Sequence, residues 1–161
     1  MTDASHGKQF ATRMNEDIRL ALLAQQTECT FVWQGDSGAC GTIMSFLWAD
    51  NCLWLTTNDS RPRVNAVRKH GNATAVISSA GTALGQSRCI TLRGQCHVID
   101  DRQTAAWFYP LFCQKLFPDN PRAQTAMQNL LDRDGQVILQ LRPEKIVAYD
   151  GNALMEKLAA L

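Results

Sequence analysis

The sharpest pattern along the chain is a period of two between Arg88 and Ile99. Ile90, Leu92, Cys96 and Val98 alternate there with Thr91, Arg93, Gln95 and His97. That alternation predicts a half-buried strand. Gly94 interrupts the apolar row, which signals a bulge, a bend at a barrel corner or a close backbone approach. Other β-rich runs lie at 27–33, 41–48, 52–57 and 73–79. Alternation returns at 136–141 and, past Pro143, at 145–149. The 52–57 run opens with Leu53, Trp54 and Leu55, as for a strand covered on both faces. Gln34-Gly35-Asp36-Ser37-Gly38, Ala49-Asp50-Asn51 and Asp150-Gly151 read as turns between them.

Helical spacing appears elsewhere. Asn15 is placed to cap a helix carrying Ile18, Leu22 and Leu23 on one stripe and ending near Gln26. Pro62 suits the first turn of a short helix over 63–70, with Val64 and Val67 inward and Gly71 as its C-cap. Asp100-Asp101 predicts a helix start, and the apolar spacing continues to Leu116. Pro110 lies within that span and predicts a kink or a split. After the break Phe117-Pro118-Asp119-Asn120-Pro121, a further helix is expected over 122–131, and Asn152 is expected to cap a last one over 153–161. Residues 80–87 are small and Gly-containing, and read equally as a plain connector or as a loop covering a ligand.

At least six strands joined mostly by tight turns do not match the strand–helix alternation of a parallel sheet. The expected fold is mainly β: an antiparallel barrel, closed or partly closed, with peripheral helices. One domain is expected over 1–161, with residues 1–13 as a loose arm.

Composition narrows the function classes. A formal net charge of +1 gives no pointer to nucleic acid or an anionic membrane, either of which would favour a basic patch or stripe, and neither is expected as a partner. No apolar run is long enough for a membrane span, and the N-terminus has no signal-peptide core, so a cytoplasmic location is expected. The six cysteines form no C-x-x-C pair, and no His stands at zinc-ligand spacing. They read as reduced thiols, mostly buried in strands, and no metal site is expected. His6, His70 and His97 suggest no catalytic triad. Neither G-x-x-x-x-G-K-[ST] nor G-x-G-x-x-G occurs. Trp33, Trp48, Trp54 and Trp107 read as core or interface residues.

One stretch carries candidate chemistry. After Thr56-Thr57, the loop Asn58-Asp59-Ser60-Arg61-Pro62-Arg63 sets two guanidinium groups at the start of a helix. Arginine forks and helix N–H groups suit phosphate oxygens. The alternative is two solvated arginines on a surface loop. Arg88 and Arg93 on their strand carry little by themselves.

The stretch from Gly41 to Gly94 resembles the FMN-binding split-barrel superfamily typified by pyridoxamine 5′-phosphate oxidase. The resemblance rests on Thr42-Ile43-Met44-Ser45-Phe46, on Leu53-Trp54-Leu55-Thr56-Thr57-Asn58 and on Ser60-Arg61-Pro62-Arg63. It continues through Ala73-Thr74-Ala75-Val76-Ile77 to Arg88-Cys89-Ile90-Thr91-Leu92-Arg93-Gly94. It covers roughly residues 15–100 and, more faintly, Leu141 to Tyr149.

The resemblance implies a homodimer with the cofactor, FMN, at the subunit interface. FAD, a deazaflavin or haem are alternatives. It implies that the flavin ring lies against Thr42, Ile43, Met44 and Ser45, that Thr56 and Thr57 lie near the ribityl-phosphate, and that Arg61 and Arg63 hold the phosphate. Arg88 and Cys89 are implied near the ring or phosphate. Departures set the chain apart from the pyridoxamine phosphate oxidases proper. Gly41 and Phe46 stand where those enzymes have Arg and Lys, Cys89 stands for a ring-contacting Gln, and a C-terminal Arg-His segment has no counterpart.

The expected function is thus an FMN-dependent oxidoreductase, flavin reductase-like or general-stress-like, using a small-molecule substrate or electron donor. No catalytic side chain is assigned. The alternative is a non-catalytic flavin- or haem-binding or sensing protein.

Overall fold

The structure is a computed structural model and describes residues 13–160. The arm expected over 1–13 therefore lies, but for Arg13, outside the described residues. Arg13 makes a β-bridge to Tyr149.

Seven strands form one antiparallel sheet: β1 (Glu28–Gly35), β2 (Gly38–Ser45), β3 (Leu47–Ala49), β4 (Cys52–Asn58), β5 (Asn72–Ser78), β6 (Arg88–Ile99) and β7 (Gln136–Asp150). Their order is β2-β1-β5-β6-β7-β4-β3. The helices are α1 (Glu16–Gln25), α2 (Pro62–His70), α3 (Arg102–Leu116), α4 (Pro121–Leu131) and α5 (Gly151–Ala159). None of the described helices is long and apolar enough to cross a membrane.

Sheet order and chain order together require curvature. β2 and β3 occupy opposite ends of the sheet, yet Phe46 alone separates them in sequence. One residue spans under 4 Å of chain, so the two edges must come together. The single strand expected over 41–48 is thereby corrected to two strands, with the chain crossing between sheet edges at Phe46. That ring is fully buried in the barrel core beside Phe31, Leu53, Leu55, Ile77, Leu92 and Leu139.

α1 and α2 cover opposite ends of the barrel. α1 sends Leu22 and Leu23 into the core, near the start of β1. Asn15 caps it, its Oδ1 accepting from the Asp17 N–H at 2.7 Å. α2 contributes Val67 from the other end, and Gly71 ends it in the left-handed region at φ 67°. A second apolar layer lies outside the sheet. There Trp54 and Ile138 pack against Phe108, Phe112 and Leu131 of α3 and α4.

Two expected breaks at prolines are corrected. α3 is not split at Pro110 but runs through it as one 15-residue helix, with Phe108 and Phe112 on either side of the proline both buried against the sheet. β7 likewise runs through Pro143 as one 15-residue strand. Pro143 sits opposite Gly94 at a β-bulge, beyond the stretch of β7 that pairs with β4, so its missing donor costs no ladder bond there. Gly94 permits that bulge: a Cβ on it would lie 2.1 Å from the Arg142 carbonyl oxygen. The cap of α5 is also corrected. Asp150, not Asn152, accepts from the N–H groups of Asn152 (3.0 Å) and Ala153 (3.2 Å), its carboxylate being buried beside them.

Candidate anion site at the barrel mouth

The loop after β4 is shaped by its own side chains. Asn58 Oδ1 accepts from the Ser60 N–H at 3.0 Å and from the Ser60 hydroxyl at 2.6 Å. The Arg61 N–H donates to the Asn58 carbonyl at 3.1 Å. This turns the chain into α2 with Arg61 as N-cap and Pro62 in the first helical turn. No side chain caps that helix; Pro62 has no N–H and the Val64 N–H donates to the Arg61 carbonyl at 2.9 Å, so the Arg63 N–H is the first-turn donor without a capping partner.

Arg61 is exposed and Arg63 half-buried. Among the described residues neither forms an ion pair, as is also true of Arg93, Arg122, Arg133 and Arg142, whereas Arg19, Arg68, Arg88 and Arg102 do. The Arg63 Nε is buried with no hydrogen-bond partner. Burial, and then the neighbouring Arg61 charge, hold the Arg63 guanidinium below its ordinary pKa. The Arg63 guanidinium carbon lies 5.7 Å from the centroid of the Trp33 ring. Two guanidinium groups without ion-pair partners among the described residues, at a helix start with no side-chain cap, fit an anionic group reached by their terminal N–H donors rather than by the covered Nε.

A cleft of about 640 Å³ opens beside this site, between α2 and the β1–β2 hairpin. Ser60, Pro62, Trp33, Cys40 and Lys69 are among its walls. A separate cleft of about 330 Å³ between α3, α4 and the Asp132–Gly135 loop is lined by charges of both signs. Arg68 pairs there with Asp59 and Arg102 with Asp132, which leaves Arg133 among unpaired carboxylates rather than beside a second free cation. Among the described residues, no group of three His, Cys, Asp or Glu is placed to hold a metal ion.

The other candidate residues spread over the sheet. Thr42, Ile43, Met44 and Ser45 lie on β2, an edge strand whose outer backbone groups have no strand partner. Met44 is buried in the core, whereas Ile43 is 67% exposed. By strand alternation Thr42 shares the face of Met44, and Ser45 that of Ile43. Thr56 and Thr57 likewise diverge. Thr56 shares the face of Trp54, toward α3, and donates to the Val137 carbonyl at 3.2 Å. Thr57 shares the face of Leu55, toward the barrel interior.

Arg88 and Cys89 begin β6. Arg88 lies opposite Asp150, while Thr57 lies opposite Val137, so the two groups sit at opposite ends of β7 within one chain. The Arg88 side chain is engaged internally. Its Nε pairs with the buried Asp150 Oδ2 at 3.1 Å, and an Nη donates to the Leu84 carbonyl. Asn152 completes this network, accepting from Arg88 at 2.9 Å and donating to the Gln86 carbonyl at 3.1 Å in the amide orientation that satisfies both ends. Residues 80–87 are thus tied to the start of α5. The sequence reading missed Asp150 as the partner of Arg88 and Trp33 as the platform of Arg63. Both pairs are distant along the chain, and no local pattern marks them.

No family model matches the chain, and no curated protein matches it. Solved structures do. A conserved hypothetical protein from Mycobacterium tuberculosis superposes with a TM-score of 0.76 at 13% identity, covering 89% of each chain. A putative pyridoxamine 5′-phosphate oxidase from Listeria innocua superposes at 0.62 with 17% identity, over 83% of this chain and 96% of its own. HutZ, a haem storage protein from Vibrio cholerae, superposes at 0.60 with 10% identity, over 86% of this chain and 98% of its own. The chain has the split-barrel fold. At these identities the likeness concerns the fold. Within this split barrel, the loop with Arg61 and Arg63 is a place where charge and unmet hydrogen-bonding capacity coincide.

Proposed function

We propose that this split barrel binds FMN and acts as a flavin-dependent oxidoreductase. The observation that carries the reading is the pair Arg61 and Arg63, without ion-pair partners among the described residues, at the uncapped start of α2. In this reading the two guanidinium groups and the Arg63 backbone N–H hold the phosphate. The free backbone edge of β2 at Thr42–Ser45 orients the ring, and Thr57 lies toward the ribityl chain. The flavin ring supplies hydride or electron transfer, while the protein binds, orients and shields it. No side chain is assigned as acid or base.

The partner in this reading is a second copy of the chain. Arg88 and Cys89 lie at the other end of β7 from Thr57, so a site using both regions draws on two copies. Val147 and Tyr149, which share one face of β7 beyond its pairing with β4, expose 52% and 44% of their surface. Apolar residues grouped in this way suit a protein interface.

The test is calorimetric titration of FMN into the wild type and into the Arg61→Ala/Arg63→Ala double variant. Loss of two charge-assisted contacts is expected to weaken binding by roughly a hundredfold or more; equal affinity in the two proteins refutes the phosphate role. Bleaching of the bound flavin by a reduced nicotinamide donor, with faster reoxidation by a substrate, separates an oxidoreductase from a flavin carrier. The likeness in fold to a haem storage protein supports a second reading, haem binding. A Soret band on haem addition, with no flavin uptake, selects it.

A further inference from the structure

We infer that Trp33 is a positioning residue of the anion site: its indole face carries the Arg63 guanidinium and sets the plane in which that group offers its N–H edge. The inference rests on the anion-binding reading of Arg61 and Arg63 given above.

Three observations support it. The guanidinium carbon lies 5.7 Å from the Trp33 ring centroid, within the range at which an aromatic face attracts a cation. Trp33 is itself fixed, since its ring stacks on Phe31 at 6.1 Å with 26° between planes, and Phe31 is fully buried. Arg63, finally, makes no ion pair or side-chain hydrogen bond among the described residues, and its Nε is buried without a partner.

A carboxylate would also orient an arginine, but it would occupy the donors. An aromatic face orients the plane and leaves the edge donors free. The run from Phe31 through Trp33 to Arg63 is therefore a rigid support that ends in unused N–H groups. Arg61, the exposed N-cap, has no ring partner among the described residues. The two arginines thus differ in role: Arg63 is held in one plane, whereas Arg61 adds charge from a freer side chain. Lysine has no plane to hold, so Arg63→Lys is expected to fail where Arg61→Lys succeeds.

The test is titration of FMN, and separately of inorganic phosphate, into wild type, W33F, W33M, R61A, R63A and W33M/R63A. W33M is expected to weaken FMN binding about tenfold, the size of a partly desolvated cation–π contact. W33F keeps a flat ring and is expected to restore most of the affinity. In the R63A background W33M should have no further effect. If R63A and R61A weaken binding but W33M has no effect, or adds its full effect in the R63A background, Trp33 has no positioning role and the anion site stands. If both arginine variants bind FMN and phosphate as wild type does, or wild type binds neither, the anion site falls and this inference with it. Should W33M fail to fold, a titration of wild type with phosphate followed by NMR decides. The Arg63 Nε–H and Trp33 indole N–H resonances should shift together, and an unmoved indole overturns the proposal.

Discussion

The Lys115 ammonium sits 3.9 Å from the centroid of the Phe46 ring and donates a 3.0 Å hydrogen bond to the Leu23 carbonyl. Phe46 is the residue at which the chain crosses from one sheet edge to the other. Leu23 lies in the last turn of α1, which has no basic residue of its own there. A cation from α3 thus satisfies a helix C-terminus and covers the crossing point.

Lys115 makes stability depend on pH. Burial lowers its pKa from 10.5 to about 8, with the Cys29 thiol acting weakly the other way. Between those values the unfolded chain keeps a proton that the native state has released, so Lys115 makes stability rise with pH across that window. The full span is on the order of 3 kcal/mol. Cys29 opposes it at higher pH: burial raises its thiol from 9.0 to about 12, so the unfolded chain loses that proton first. Urea unfolding of wild type and Lys115→Met from pH 7 to 10 checks this. The wild type should gain on the variant as pH rises, whereas a constant difference would show an ordinary lysine.

Thiol reactivity should divide the cysteines. Cys40 is exposed and Cys89 half-buried, while Cys29, Cys52, Cys96 and Cys113 are buried. Burial also raises the thiols of Cys96, to about 12, and Cys113. A thiol reagent at pH 8 should modify Cys40 quickly, Cys89 slowly and the other four only in denaturant. Mass mapping of the modified residues reads the order.

Gly94→Ala should be strongly destabilising. The added methyl would meet the Arg142 carbonyl at 2.1 Å and the Glu144 nitrogen at 2.7 Å, both backbone atoms. A loss on the order of 3–5 kcal/mol is expected, at the top of the usual range for one substitution. Chemical denaturation measures it, and a loss below 1 kcal/mol would mean the bulge relaxes freely.

Breaking the Arg88–Asp150 pair should cost stability. Their side chains are 15% and 5% exposed, and Asp150 also caps α5. Arg88→Met leaves a buried carboxylate and should cost roughly 3–5 kcal/mol. Normal thermal stability with selectively weakened FMN binding would instead assign Arg88 to the cofactor.

Much of the fold was legible in the sequence because its signals are local. The bounds of β6 follow from the strict alternation of Arg88–Ile99, and Gly94 was recognisable as a special position. Gly71 as a left-handed C-cap and Asn15 as an N-cap follow from the chemistry of single residues. The turn at Asp50-Asn51 has both residues at positive φ, 51° and 57°, as a two-residue hairpin favours. The breaks expected at Pro110 and Pro143 do not occur, because tertiary packing holds α3 together and a bulge accommodates Pro143 in β7. The run over 41–48 is continuous in hydrophobicity, and nothing within it marks Phe46 as a crossing point.

By itself, then, the sequence determined strand periodicity, most helix ends and the loop that sets Arg61 and Arg63 at a helix start, since each depends on residues within a few positions of one another. Only the tertiary structure decided that the sheet closes through Phe46, that Asp150 holds Arg88, and that Trp33 lies under Arg63. The two side-chain pairs join residues 30 or more positions apart, the closure depends on the distant pairings of β1 with β5 and β4 with β7, and pairing at that range is set by how the whole core packs.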